Sequence, residues 1–244
     1  MKKMTYVFIF DLDDTLYKEI DFVRSAFTHI DRLLVADYGY TAGVGQMTLS
    51  GAFIEGLNPI SALVARLEKD GIHIPNAVDW LVSEYRYHIP QISLDDDVYD
   101  FLCRLDKDDI DMYIITDGRS VTQRNKIRVL GLDEFIPPSN VYISEDVGVD
   151  KTENKAFSEI LESYKTEWVN DLVQFIFVGD NPQKDFFVGN SYGFPTVMLS
   201  NDGYNIHSQD LNVPRLYKPK FKVKNFSQLY TLLRKGVFDK ILSI

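Results

Sequence analysis

Cysteine is almost missing from this chain. Cys103 is the only one among 244 residues, so no intramolecular disulfide can form. A reducing, cytoplasmic setting fits that composition. Cys103 falls in the apolar helical pattern Val98, Phe101, Leu102, Leu105 and reads as a small core residue. Long hydrophobic runs are absent too. No apolar stretch approaches the roughly 18–20 residues that a membrane-spanning helix needs. The opening Met1-Lys2-Lys3-Met4-Thr5 carries charge, but only about five apolar residues follow before acids appear, which is not a signal-peptide pattern.

Positive charge is scarce. Lys and Arg number 26 against 36 Asp and Glu, a formal net charge of −10. That balance argues against a general nucleic-acid binder, because affinity for the phosphate backbone comes from Lys and Arg. The basic cluster Lys218, Lys220, Lys222 and Lys224 alternates with Phe221 and Val223, as a solvated edge strand does. There are only four histidines; His207, in a late polar stretch, reads as solvated.

What the chain does have is apolar mass. It is 45% hydrophobic and 13% aromatic, enough for a large α/β domain, or a core of about 150 residues with a smaller partner. The stretch Tyr6-Val7-Phe8-Ile9-Phe10 reads as a strand buried on both faces. It stops abruptly at Asp11-Leu12-Asp13-Asp14-Thr15. Acids delivered at the end of a buried strand are costly unless something uses them. In parallel sheets that end is also where ligands bind.

Residues 18–92 then read as helix after helix. Phe22, Ala26, Ile30, Leu33, Leu34 and Tyr38 give an amphipathic helix over 20–38. A weaker one covers 46–55. Asn58 offers an N-cap with Pro59 at the first helical position, and Gly71 closes that helix. Asn76 caps another, with Val78, Leu81, Val82 and Tyr85 facing inward. From Asp95 the pattern alternates: helix 96–107, strand 112–116, helix 120–130, strand 141–144, helix 153–165, strand 175–178, a helix from Gln183, strand 196–199, strand 221–223 and helix 226–234. Strands separated by helices imply a parallel sheet. Residues 201–219 hold few periodic signals, and a loop that long is functional or mobile.

Three strands end in polar clusters: Asp11/Asp13, Thr116, and Asp180 with Asp185. Parallel strands put these on one rim. Four carboxylates in one crevice repel each other, and a phosphate dianion would be repelled as well. A divalent cation makes the arrangement tenable, and a small set of oxygen ligands suits Mg²⁺. A carboxylate can attack phosphorus. A second can move protons. A Thr hydroxyl at a helix start can hold phosphate oxygens, and a Lys can balance their charge.

Asp11-Leu12-Asp13-Asp14-Thr15 resembles the first motif, Asp-x-Asp-x-Thr, of the haloacid dehalogenase superfamily of phosphohydrolases. Thr116 resembles the second motif, and Gly179-Asp180-Asn181-x-x-x-Asp185 the fourth. The third differs: Lys151-Thr152-Glu153-Asn154-Lys155-Ala156-Phe157 keeps the Lys and Phe of Lys-Pro-x-Pro-x-x-Phe and loses both prolines. Lys151 is favoured for the phosphate-facing role, with Lys155, one helical turn later, as its competitor. The resemblance implies a Rossmann-like three-layer α/β core (1–17 and 93–244) with an inserted all-α cap (18–92). It makes Asp11 the nucleophile and Asp13 the general acid/base. It places Mg²⁺ on the Asp11 carboxylate, the Asp13 backbone carbonyl, Asp180 and Asp185. Dehalogenating members lack the second acid, so Asp13 favours phosphate-ester chemistry.

The implied activity is hydrolysis of a small phosphorylated metabolite, with neither nucleic acid nor membrane as partner. A sugar phosphomutase with the same intermediate is one alternative. A non-catalytic metabolite-binding protein of this fold is the other. Asp117 and Gly118, beside Thr116, are candidate substrate contacts. Arg86 and His88, where the helical segment returns, are candidate leaving-group contacts or simply a basic helix end. Lys18, Glu19 and Arg24 at its entry carry the same two readings. Asp14 is expected to point away and bond locally.

Overall fold

A computed structural model describes residues 5–169 and 172–239. The terminal residues 1–4 and 240–244, counted above as core, lie outside the described residues. Six strands form one parallel sheet: β1 (Thr5–Phe10), β2 (Asp111–Thr116), β3 (Val141–Ile143), β4 (Val173–Gly179), β5 (Thr196–Leu199) and β6 (Phe221–Val223). Their order is β3-β2-β1-β4-β5-β6. The chain builds outward from β1 on one side, then returns to build outward on the other. The switch falls between β1 and β4, where Phe10 pairs with Val178. Such a reversal opens a crevice at the carboxyl ends of the two strands.

Alternation in β1 explains the layers. Phe8 and Phe10 face one apolar cluster, and Val7 and Ile9 face another. Both faces must therefore be covered. Helices α5 (Asp96–Lys107), α6 (Ser120–Val129) and α11 (Phe226–Arg234) contribute to the first cluster. Helices α8 (Lys155–Ser163) and α10 (Phe186–Ser191) contribute to the second. The result is the three-layer arrangement that the strand–helix alternation predicts. β6 is an edge strand, and its four neighbouring lysines are exposed.

Between β1 and α5 the chain makes four helices: α1 (Glu19–Tyr38), α2 (Val44–Ile54), α3 (Pro59–Lys69) and α4 (Ala77–Tyr87). They bury a separate apolar cluster that includes Phe27, Ile30, Leu34, Leu49, Leu63 and Leu81. Each such side chain, fully buried, stabilises by about 1.5–3 kcal/mol. α2 starts at Gly43, which has no side chain to cap it. Asp31 from α1 does this instead, accepting from Gly43 N at 2.9 Å and Gln46 N at 3.1 Å. Asn58 caps α3 as its position predicts, accepting from Ser61 N at 2.9 Å. Among the described residues no helix is long and apolar enough to cross a membrane.

Several local expectations need correction. Asn76 precedes α4 but makes no side-chain cap, because its left-handed backbone (φ 51°) is not the extended conformation that capping requires. Val78 is 50% exposed rather than inward. Cys103 is half-buried beside the core rather than in it. The strand at Val141 ends at Ile143, and Ser144 opens a short helix, α7 (Ser144–Val147). The helix expected over 153–165 is α8 followed by α9 (Lys165–Val169), and the one expected from Gln183 begins at Phe186.

Candidate active site

The rim at the carboxyl ends of β1, β2 and β4 holds a cavity of about 170 Å³. Asp11, Asp13, Thr116, Asp117, Lys151 and Asp180 all line it. The chain brings them together because its polar residues begin where each strand stops.

Asp11 is buried. Its N–H continues the sheet by donating to Val178 O at 2.9 Å. Lys151 Nζ donates to Asp11 Oδ1 at 2.8 Å and forms an ion pair with Asp185 Oδ1 at 2.6 Å. Asp11 Oδ2 has no hydrogen bond among the described residues. Burial raises Asp11 to about 7; Lys151 pulls it down, and Asp185 pushes it up again. Burial alone would lower the Lys151 ammonium, but Asp11 and Asp185 outweigh it and raise it. Lys155, the competitor, points elsewhere: it is exposed and donates to Val147 O at 2.5 Å.

Asp11, Asp180 and Asp185 can each offer an oxygen within 4.8 Å of the others. Asp185 Oδ2 accepts the N–H groups of Asp180 (2.9 Å) and Asn181 (2.7 Å). That bond requires a bare backbone at Gly179, where an added Cβ would lie 2.4 Å from Asp185 Oδ2. Asp180 Oδ2 accepts from Asn205 Nδ2 at 2.8 Å. Burial, followed by Asp185 and Asp11, raises Asp180 to about 8. Three buried carboxylates thus lie together with one lysine, which reaches only two of them. The charge deficit and the all-oxygen donor set fit a hard divalent cation such as Mg²⁺. The Asp13 carboxylate stands outside this trio.

Asp13 has partners that the sequence reading missed. Its Oδ1 accepts from Lys126 Nζ at 2.7 Å and from the Tyr17 hydroxyl, and its Oδ2 from Gln123 Nε2 at 2.8 Å. Burial pushes this carboxyl up, but Lys126, Gln123 and Tyr17 together hold it below the usual range. Lys126 also sits 4.3 Å from the Phe22 ring centre, which ties α6 to the helical insert. Gln123 donates in addition to Thr116 Oγ1 and Asp117 O, each at 2.8 Å. Gln123 and Lys126 lie three apart on one face of α6 and are both buried. Polar residues at core positions of a helix were the available signal.

The weaker substrate candidates separate. The Asp117 carboxylate positions the lysine loop, accepting from Lys151 N at 3.0 Å and pairing with Lys184 Nζ at 3.1 Å. The Gly118 N–H is taken by Ser144 Oγ at 2.9 Å, and Gly118 lines a neighbouring open cavity instead. Arg86 and His88 do not line the acid cavity. Arg86 is exposed, edging an apolar cavity of the insert. His88 is buried, with Nδ1 2.9 Å from Tyr85 O, and burial lowers its imidazole. Arg24 pairs with Asp21 on the surface. Glu19 does line the cavity, and so does His207, exposed at its mouth.

Asp14 bonds locally only in part. Oδ1 accepts from Glu19 N at 3.0 Å, but Oδ2 accepts from Ile206 N at 2.8 Å, 192 residues away. The long loop after β5 is therefore strapped over the rim. Asn205 and Asp202 also receive Lys18 Nζ (3.2 and 3.0 Å), and Gln209 donates to Asp180 O at 2.9 Å.

This geometry has relatives. YfnB of Bacillus subtilis, described as a HAD-hydrolase, is 26% identical over 92% of this chain and 94% of its own length. Glyceraldehyde 3-phosphate phosphatase of Pyrococcus abyssi is 26% identical over 80% of this chain and 81% of its own. Magnesium-bound crystalline YfnB has the same fold, with a TM-score of 0.63 at 23% identity, covering 95% of this chain and 99% of that one. So does a 2-haloacid dehalogenase from Pseudomonas syringae pv. Tomato DC3000, with a TM-score of 0.60, 23% identity and the same coverage. A family model, haloacid dehalogenase-like hydrolase, matches residues 6–193. This chain belongs to that hydrolase family.

Proposed function

We propose that the chain is a Mg²⁺-dependent phosphatase of a small phosphorylated metabolite, acting through a phosphorylated Asp11. The observation that carries this reading is the placement of Lys151 between Asp11 and Asp185, with a second acid, Asp13, two residues beyond the first. Asp11 Oδ2 attacks phosphorus while Oδ1 stays on Lys151. The ester P–O bond breaks, and the leaving oxygen takes a proton from Asp13. Water then cleaves the aspartyl phosphate, with Asp13 receiving its proton. Lys151 balances charge on the phosphoryl oxygens. Thr116 at the rim holds one of them.

Mg²⁺ would be held by the Asp11, Asp180 and Asp185 carboxylates and the Asp13 carbonyl, and would screen these acids from the phosphate dianion. For Asp13 to act as an acid, its carboxylate must first take up a proton against the pull of Lys126. Residues 18–92 act as the cap over a core of 1–17 and 93–244, and a cytoplasmic setting belongs to the same reading. A cap and a 170 Å³ cavity both favour a small substrate. Phosphatases among the relatives support ester hydrolysis. Dehalogenases share the fold, but Asp13 argues for phosphate chemistry.

The test is release of inorganic phosphate from a panel of sugar phosphates, nucleotides and small phospho-acids, with and without Mg²⁺. Asp11→Asn should abolish turnover, and near wild-type release by that variant would sink the mechanism. Isomerised phosphate ester without free phosphate would identify a mutase.

A further inference from the structure

Glu19 is the first residue of α1, where the chain leaves the catalytic turn for the helical insert. It lines the acid cavity. Its backbone N–H is used, donating to Asp14. Its carboxylate makes no hydrogen bond and no ion pair among the described residues. The other cavity acids are all held: Asp11 by Lys151, Asp13 by Lys126, Asp14 by Ile206 N, Asp117 by Lys184 and Asp180 by Asn205.

A plain role at the helix N-terminus does not account for this placement. The dipole favours acids there, but an exposed acid serves as well, and Asp21 already provides one in the same turn. A half-buried carboxylate without a partner has lost part of its hydration for nothing in return. Around Glu19 the charges are mostly negative. After burial, Asp13 acts on it most strongly and Lys126 opposes, and Glu19 is raised to about 8. Lys126 is already bonded to Asp13. What Glu19 lacks is a hydrogen-bond donor from outside the protein.

Its position says which part of a substrate would supply one. The phosphoryl group belongs at Asp11, Lys151 and Thr116. Asp13 faces the ester oxygen. Glu19 lines the same cavity from the first turn of the insert. We infer that Glu19 selects the leaving group, accepting a hydrogen bond from a hydroxyl or ammonium on the alcohol portion of the ester and rejecting esters with a carboxylate there. This inference rests on the phosphatase reading and adds a substrate class to it.

Four esters, compared at pH 9 where Glu19 is ionised, test it: glycerol 3-phosphate (hydroxyl), phosphoethanolamine (ammonium), n-propyl phosphate (no donor) and phosphoglycolate (carboxylate). Glycerol 3-phosphate or phosphoethanolamine should exceed n-propyl phosphate in kcat/KM by about tenfold or more, the usual worth of a hydrogen bond to a charged group. Phosphoglycolate should fall below n-propyl phosphate. Glu19→Leu should bring the donor ratio close to one. Glu19→Gln, whose amide oxygen still accepts, should keep part of a hydroxyl preference, lose an ammonium preference and raise phosphoglycolate. Each ratio is taken within one enzyme preparation, so partial loss of folded protein cancels. Unchanged ratios in Glu19→Leu overturn the inference. So does a wild-type preference for phosphoglycolate, which would assign the leaving group to Lys184 and His207 instead. No Mg²⁺-dependent phosphate release from any ester, 4-nitrophenyl phosphate included, overturns the phosphatase reading and this inference together.

Discussion

Lys126 and Asp13 meet at 2.7 Å across 113 residues of chain, and both side chains are largely withdrawn from water. The pair joins α6 to the catalytic turn. It also fixes the charge state of the residue assigned to proton transfer.

Lys126→Met removes the main influence that lowers Asp13. An unpaired carboxylate in this setting costs about 3 kcal/mol, so urea denaturation at neutral pH should show a loss of that order. The acid limb of the kcat profile should move up. An unmoved limb would mean that Lys126 does not govern the proton-transferring group.

The metal-free protein should lose stability as pH rises. Asp11, Asp180 and Glu19 stand at about 7, 8 and 8, against ordinary values of 3.8, 3.8 and 4.5. Burial is the leading cause for each. The folded state therefore holds more protons than the unfolded chain from about pH 4 to about pH 8, and stability falls through that window. Asp13 works in the opposite sense: held low, it stabilises above its ordinary 3.8 and loses that contribution in acid. With a chelator present, Tm should decline from about pH 5 to about pH 8. Millimolar Mg²⁺ should reverse most of the decline, because it binds the ionised trio. A flat Tm in chelator would contradict these raised values.

Gly179→Ala should weaken metal binding. Its Cβ would stand 2.4 Å from Asp185 Oδ2 and 2.7 Å from Asp185 Cβ, so the carboxylate must leave the Asp180 and Asn181 N–H groups. Displaced supports of this kind typically cost about 10–100-fold in metal affinity. Titration of activity against Mg²⁺ measures it, and an unchanged midpoint would show that Asp185 can hold its place by other bonds.

Asn205→Ala removes one donor from Asp180 and one acceptor from Lys18. Apparent Mg²⁺ affinity should fall. Backbone amide exchange should quicken in the 201–209 loop, whose N–H groups bond within the loop and to Asp14. Unchanged exchange there would show that Asp14 and Gln209 hold the strap without Asn205.

Much of the molecule was legible from local signals. The Tyr6–Phe10 run demands cover on both faces, which the strand–helix alternation then supplies. Asp11 and Asp180 follow strands and Thr116 ends one, so a parallel sheet must put them on one rim. The preference for Lys151 over Lys155 came from the motif resemblance, not from a local physical signal. Four residues apart at a helix entrance, they differ only in which way the preceding loop turns. The links of Asp13 to Lys126 and of Asp14 to Ile206 were also hidden, because nothing in a neighbouring stretch marks a partner more than 100 residues away.

By itself, then, the sequence determined the layered α/β core, the four-helix insert and the identity of the acids, because periodicity and strand ends are local properties. Tertiary structure alone decided how the charges are shared: one lysine between Asp11 and Asp185, another on Asp13, an asparagine on Asp180 and, among the described residues, no partner for Glu19. Those assignments depend on which side chains reach the rim across the switch between β1 and β4, and only the packing of the helices around the sheet sets that reach.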